Sequence, residues 1–380
     1  MFGSEKARGI LWQVLLLGAV LFGGWYLFHN TQLNLARSNI QVGFGFLGKE
    51  AGFEIAESLI DYDASRSFGR AFLVGIGNTL YVAIVGIILA TILGTVIGIA
   101  RLSDNWLLRK LASAYVEVMR NVPLLLQLLV WYTFFTELLP GIRQAINIGG
   151  VAFISQRGFR FAWPAPHPAF TWVGIALVVG IVAFLFWRSY ARRVQQQTGR
   201  QLPVGWGALA LIVGLPLVAW LIGGAPTALE YPKLAGFDMQ GGINISPEFS
   251  ALLIGLTTYT AAFIAEVVRA GILSVAKGQT EASQALGLSP GQRLRLVTLP
   301  QALRVIVPPM TSQYLNLTKN SSLAVAIGYP DLVAVANTTM NQTGQAIEAI
   351  AILMAVYLVI SLVISVLMNI YNNRVRLVER

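Results

Sequence analysis

A 380-residue chain that is 56% apolar, 12% charged and carries a formal net charge of +10 lies far from the roughly 25% charged composition of soluble domains. That balance excludes a water-soluble globular enzyme and marks an integral membrane protein. The chain has no cysteine, which excludes disulfides and thiolate metal sites, and His29 and His167 stand far apart near the ends of apolar runs, as interfacial side chains rather than metal ligands.

Runs apolar enough to cross a hydrocarbon core of about 30 Å fall at about 10–28, 71–99, 113–137, 172–187, 204–222, 249–271, 305–328 and 349–371. The expected fold is all-α, an integral membrane protein of about eight transmembrane helices. The first run follows Lys6 and Arg8 like a signal peptide, but Trp25-Tyr26 stands where a small-residue cleavage site belongs, so it is expected to remain as an anchor. With the N-terminus inside, inner segments carry sixteen lysines and arginines, Arg376 and Arg380 among them, and outer segments carry eight; Arg120, Arg269 and Lys319 fall within spans. This positive-inside bias places both termini and the segment around Glu281 in the cytoplasm. The same distribution points to membrane lipid, not nucleic acid, as the partner of the basic charge.

Four stretches follow: an N-terminal anchor with an outer segment (1–69), a first core part (70–137), an insertion bringing two extra spans (138–248) and a second core part (249–380). In the outer segment, Gly43-Phe-Gly45-Phe-Leu-Gly48 is a literal GxGxxG. No strand precedes it and no crossover unit follows, so a dinucleotide site is not expected. The chain holds no GxxxxGK[ST] phosphate loop, so any ATP hydrolysis belongs to another polypeptide.

Arg120-Asn-Val-Pro123-Leu-Leu-Leu-Gln127 interrupts the third span. Pro123 frees a backbone carbonyl one turn back, which lipid tolerates only where protein or water satisfies it. Glu117 and Arg120, three apart, can pair on one helix face, either as packing for a kinked helix or as part of a pathway. Thr257-Thr258-Tyr259-Thr260 in span six can line a pathway or return hydroxyl bonds to its own helix; Glu266 and Arg269 again stand three apart. Asn316, Lys319 and Asn320 share one stripe of span seven. A lysine near mid-span costs on the order of 2.5–3.5 kcal/mol on insertion scales, so Lys319 should face either a polar cavity or a fixed partner such as Glu266.

Between spans six and seven lies the segment on which the chain turns. Thr280 can cap a short helix over 281–286, Gly287 can stop it in a left-handed conformation, and Ser289 can cap a second helix with Pro290 at its first position, running to Pro300. The tip then presents Ala282, Ala285 and Leu286 to a groove on another protein.

Glu281-Ala282-Ser283, with Gly287 four positions after Ser283 and then Val297 and Leu299-Pro300, resembles the EAA loop of the membrane subunits of ABC importers; Ser283 replaces the usual third alanine and Val297 the usual isoleucine. The Arg120–Gln127 stretch is similar to the Arg-Gly-Thr-Pro-Leu-Leu-x-Gln segment of polar amino-acid importers, with Asn121-Val122 replacing Gly-Thr. Ala261 to Gly271, followed by Lys277-Gly278-Gln279, resembles the same branch, with Phe263 in place of a tyrosine and Ala270 in place of a glycine. Gly328-Tyr-Pro330-Asp331-Leu332 is similar to the family's Gly-x-Pro-(Asp/Glu)-Leu. The likeness covers about 70–372 apart from the insertion, and the first span, outer segment and insertion together resemble the larger permease of general L-amino-acid importers.

The resemblance implies a type I ABC importer permease in the bacterial inner membrane, moving amino acids inward by alternating access. It implies an ABC ATPase dimer that holds ATP and magnesium, a homologous second permease or a second copy of this chain, and a periplasmic amino-acid-binding protein, with no cofactor in this chain. Coupling falls to Glu281, Ala282, Ser283, Ala285, Leu286 and Gly287, and the substrate pathway to Arg120, Gln127, Thr257, Thr258, Tyr259, Glu266, Asn316, Lys319 and Asn320. The rival is an ion-coupled secondary amino-acid carrier relaying through Glu117, Glu266 and Lys319.

Overall fold

The computed structural model describes residues 5–37, 43–236 and 238–375; Arg376 and Arg380, counted above on the inner side, lie outside them. Among the described residues, six helices are long and apolar enough to cross a membrane, or up to eight if each of two bent helix pairs counts as one span. The chain divides into two units, Met1–Tyr132 with Ala251–Arg380, and Thr133–Ser250.

In the first unit, α1 (Glu5–Arg37) exposes both faces, with Trp12, Leu16, Phe22 and Leu27 each more than 60% exposed. The GxGxxG stretch forms a short 3-10 turn, Phe44–Gly48, whose Phe46 is buried against Phe68 and Phe72. Its backbone is tied down as well, the Gly43 N–H donating to Glu348 Oε1 at 2.7 Å. The motif is therefore an aromatic anchor.

Ser67 caps α2 (Phe68–Ala100) by accepting from the Arg70 N–H. Its 33 residues span about 50 Å, well beyond a hydrocarbon core. Gly86, Ala90, Gly94 and Gly98 form a small-residue stripe along it. A Cβ on Gly94 would come within 2.7 Å of the Ala261 carbonyl, and one on Gly98 within 2.8 Å of the Ala265 carbonyl. Two backbones approach this closely in a membrane only through such small residues, and here they belong to α2 and to the helix of span six.

The expected third span is not one helix. α3 (Trp106–Asn121), capped by Asn105, and α4 (Leu124–Thr133), which continues into a π-helical turn at Phe134–Leu138, meet at 103°. The break falls at Val122-Pro123, because a proline cannot donate to the preceding turn and clashes with it.

The second unit is built on a helical hairpin. α5 (Pro168–Thr198), with Pro168 at its start and a left-handed Gly199 at its end, packs antiparallel against α6 (Val204–Ala208), a π-helical turn at Leu209–Gly214, and α7 (Leu215–Ile222). Gly207 lies against Trp187, Gly180 against Leu211 and Gly223 against Ala169, a sequence of contacts that runs in opposite chain directions. The Pro- and Gly-rich loops at one end of this hairpin form short antiparallel strands that an all-helical expectation omits. β1 (Ile146–Ile148), β2 (Ala152–Ser155) and β3 (Gly158–Phe161) pair in order, β4 (Trp163–Pro164) pairs with β5 (Leu229–Glu230), β6 (Lys233–Ala235) with β7 (Asp238–Gln240), and β8 (Ile243–Ile245) with β3. An Arg157–Asp238 ion pair of 3.1 Å also joins the two loops.

From Ala251 the chain belongs again to the first unit. There α8 (Pro247–Leu273) leads to α9 (Lys277–Ala285), α10 (Pro290–Arg293) and α11 (Leu299–Asn320), then to a 3-10 segment at Ser321–Ile327, α12 (Leu332–Thr343) and α13 (Ala346–Val375). Asp331, fully buried, caps α12 by accepting from the Ala334 N–H at 2.8 Å. Asn78 fixes the turn before it by donating to the carbonyls of Pro330 and Glu57. The family-like Gly-Tyr-Pro-Asp-Leu stretch thus docks α12 on the first three turns of α2.

Candidate functional site

The helix–break–helix around Glu281 is rigid at its turn. α9 begins one turn earlier than expected, after Ala276, with no side-chain cap. Thr280 lies inside it and gives its carbonyl to the Ser283 hydroxyl at 2.7 Å. Gly287 adopts φ +72°, a conformation that suits glycine, and the turn closes with Gly287 N–H to the Gln284 carbonyl (2.9 Å) and Leu288 N–H to the Ser283 carbonyl (3.1 Å). This pair of bonds is a Schellman motif. Ser289 and Gln292 then form a capping box, with Pro290 at the first helical position.

The second helix does not end at Pro300. α10 passes through a π-helical turn at Leu294–Thr298 directly into α11. Proline is tolerated in a helix's first turn, and the π turn before it absorbs the register. A single helical path therefore runs from the exposed break at Ser289 to Asn320, and Gln301 donates to Gln279 at 3.3 Å to brace it against α9. Glu281, Ala282, Ala285, Leu286 and Gly287 are exposed, with Leu286 79% exposed. Ser283 is buried, its hydroxyl engaged by the Thr280 carbonyl. The arrangement is an apolar tip on a lever that continues into a span.

The expected pathway residues separate into different roles. Gln127 is buried, and its Nε2 donates to the carbonyls of Met119 (3.0 Å) and Val122 (2.9 Å). Thr258 returns its hydroxyl to the Ile254 carbonyl at 2.7 Å, while Thr257 is buried with its Oγ1 unpartnered. Tyr259 packs on Phe263 with ring centroids 5.0 Å apart. Tyr115 of α3 donates to the Thr258 carbonyl at 2.6 Å, tying the broken span to α8.

Glu266 pairs with Arg269 at 2.8 Å, as its spacing suggests, and also with Arg101 at the end of α2. Among the described residues Glu266 is thus paired with two arginines and forms no ion pair with Lys319. The expected Glu117–Arg120 pair is also not formed: among the described residues Glu117 has no ion pair, and Arg120 lies 5.1 Å from the centroid of the Phe263 ring. Lys319 stands in the last turn of α11, exposed with Asn316, while Asn320 is half-buried.

An exposed helix–break–helix tip thus continues through one helical path toward the candidate spans. Residues 198–377 match the family described as binding-protein-dependent transport system inner membrane component. Over 377 residues the chain is 49% identical to the general L-amino acid transport system permease protein AapQ of Rhizobium johnstonii, covering 99% of this chain and 94% of that protein. It is 50% identical over 382 residues to the putative amino-acid ABC transporter permease protein YhdX of Escherichia coli K12, covering 100% and 97%. It is 42% identical over 409 residues to the glutamate/glutamine/aspartate/asparagine transport system permease protein BztB of Rhodobacter capsulatus, covering 99% and 96%.

The chain belongs to this family: it is a multi-pass inner-membrane permease subunit of a bacterial ABC importer, moving substrate across the membrane in concert with a separate ATPase. The rival ion-coupled carrier finds no support, and of its three relay residues Glu266 is already held by two arginines.

Proposed function

We propose that this permease carries amino acids into the cytoplasm with the tip Ala282–Gly287 seated in a groove of an ABC ATPase dimer that binds ATP and magnesium. Closure of the dimer would push the tip, and the helical path from Ser289 to Asn320 would carry that motion into the spans as they alternate between outward- and inward-facing states. The exposed Leu286 beside a Schellman turn, at the foot of that path, is the observation that carries this reading. The amino-acid cargo is supported by the chain's relatives, which are named as amino-acid permeases and align over nearly their whole length. A homologous permease or a second copy would complete the pathway, with exposed Asn316 and Lys319 facing it, and a periplasmic binding protein would deliver the substrate. Both termini lie in the cytoplasm on the charge bias of the sequence.

The test is uptake of radiolabelled L-glutamine by proteoliposomes holding the whole complex and its binding protein. The expected result is uptake that requires hydrolysable ATP on the ATPase side. Uptake driven by a proton or sodium gradient without ATP would overturn the proposal.

A further inference from the structure

Beside the end of α3, a cavity of about 460 Å³ is lined by residues of α2, α3 and α8. We propose that this cavity holds the charged head of a free α-amino acid, with Glu117 taking the ammonium and Arg120 the carboxylate. The proposal rests on the amino-acid reading above and adds to it a site and a rule of recognition.

The charges in the cavity are not equally available. Glu266 is held by Arg101 and Arg269, so its carboxylate is already engaged. Glu117 and Arg120 also line the cavity, and three apart on a helix their side chains are within reach of each other. They are nonetheless unjoined. Arg120 is held by the face of Phe263, a contact with the aromatic ring that leaves its N–H donors unspent. The Glu117 carboxylate has neither a hydrogen bond nor an ion pair among the described residues; only its backbone carbonyl is engaged, accepting from Asn121 at 2.7 Å. A third donor, Arg101 Nε, is buried on the same cavity without a partner.

One exposed anion and one exposed cation, neither with a protein ion-pair partner and a single helical turn apart, complement a ligand carrying both charges on one carbon. Arginine donors suit a carboxylate's two oxygens, and a carboxylate accepts an ammonium's protons. The rest of the lining offers Phe263 and Val116, which select weakly among side chains. The site would therefore read the head group and tolerate varied side chains.

The test is equilibrium binding of tritiated L-glutamine to the detergent-solubilised whole complex without its binding protein. L-alanine and L-aspartate should compete, whereas N-acetyl-L-glutamine, lacking the ammonium, and L-glutaminamide, lacking the carboxylate, should not. Glu117→Gln and Arg120→Met should each weaken L-glutamine binding at least tenfold while the ATPase still co-purifies. No L-glutamine binding by the wild type, equal competition by the two blocked analogues, or unaltered binding in both variants would each overturn the site. The analogue series needs no variant, so it decides even if a substitution fails to fold. ATP-dependent uptake that persists alongside any of those results would leave the transport reading standing and remove only the site.

Discussion

The side-chain amide of Gln127 donates to the carbonyl of Met119, the acceptor that Pro123 leaves without its helical N–H. The second hydrogen of the same amide goes to Val122, so one glutamine pairs with two carbonyls at the break. A sharp turn in an apolar setting is stable only if such groups are paired. Gln127→Leu should therefore destabilise the protein by about 1–3 kcal/mol, the usual cost of stranding buried polar groups. Adding Pro123→Ala, which restores the N–H, should recover part of that loss. Thermal melting of the two variants in detergent checks this, and a Gln127→Leu variant that melts with the wild type would contradict it.

The close approach of α2 and α8 gives a second expectation. Gly94 and Gly98 have no room for a side chain against the Ala261 and Ala265 carbonyls. Gly98→Leu should cost about 1–3 kcal/mol or more through overpacking and lower the yield of assembled complex. Gly18→Leu, in the exposed α1 where a Cβ would meet nothing within 4 Å, should leave both unchanged. Size-exclusion profiles and melting curves of the two variants decide it.

Much of the coupling segment is legible from sequence because its signals are local. Gly287, Ser289 and Pro290 stand at the stop, cap and first helical position their chemistry favours. Pro300 misleads, since a proline reads alike as a helix end and as a first-turn residue; the π turn that makes it the latter has no sequence signature. The Glu266–Arg269 pair is visible in its spacing, whereas Arg101, 165 positions away, reaches Glu266 only through the packing of α2 on α8. Gln127 belongs to the same class of miss. Its amide and the orphaned carbonyl are both evident in the sequence, but joining them requires the turn geometry. Phe46 shows the converse, a motif whose glycines draw attention while its aromatic residue performs the anchoring.

Lys319 has no hydrogen bond or ion pair from its side chain among the described residues. Lys319→Met should therefore leave thermal stability and basal ATP hydrolysis near wild type, with transport reduced at least tenfold if the charge serves the path. A large fall in stability would instead identify it as a structural cation. Measuring melting temperature and uptake on one preparation separates the two outcomes.

The central claim is that the tip at Ala282–Leu286 touches the ATPase. The chain contains no cysteine, so Ala285→Cys introduces one attachment point, on an exposed residue, for a photoactivatable maleimide. Illumination of membranes carrying the whole transporter should join this chain to the ATPase subunit, with a yield that changes when ATP is bound, while a control Gly18→Cys in α1 should give no such product. Cross-linking of Ala285→Cys to the periplasmic binding protein, or no ATPase adduct despite full labelling and active transport, would contradict the account.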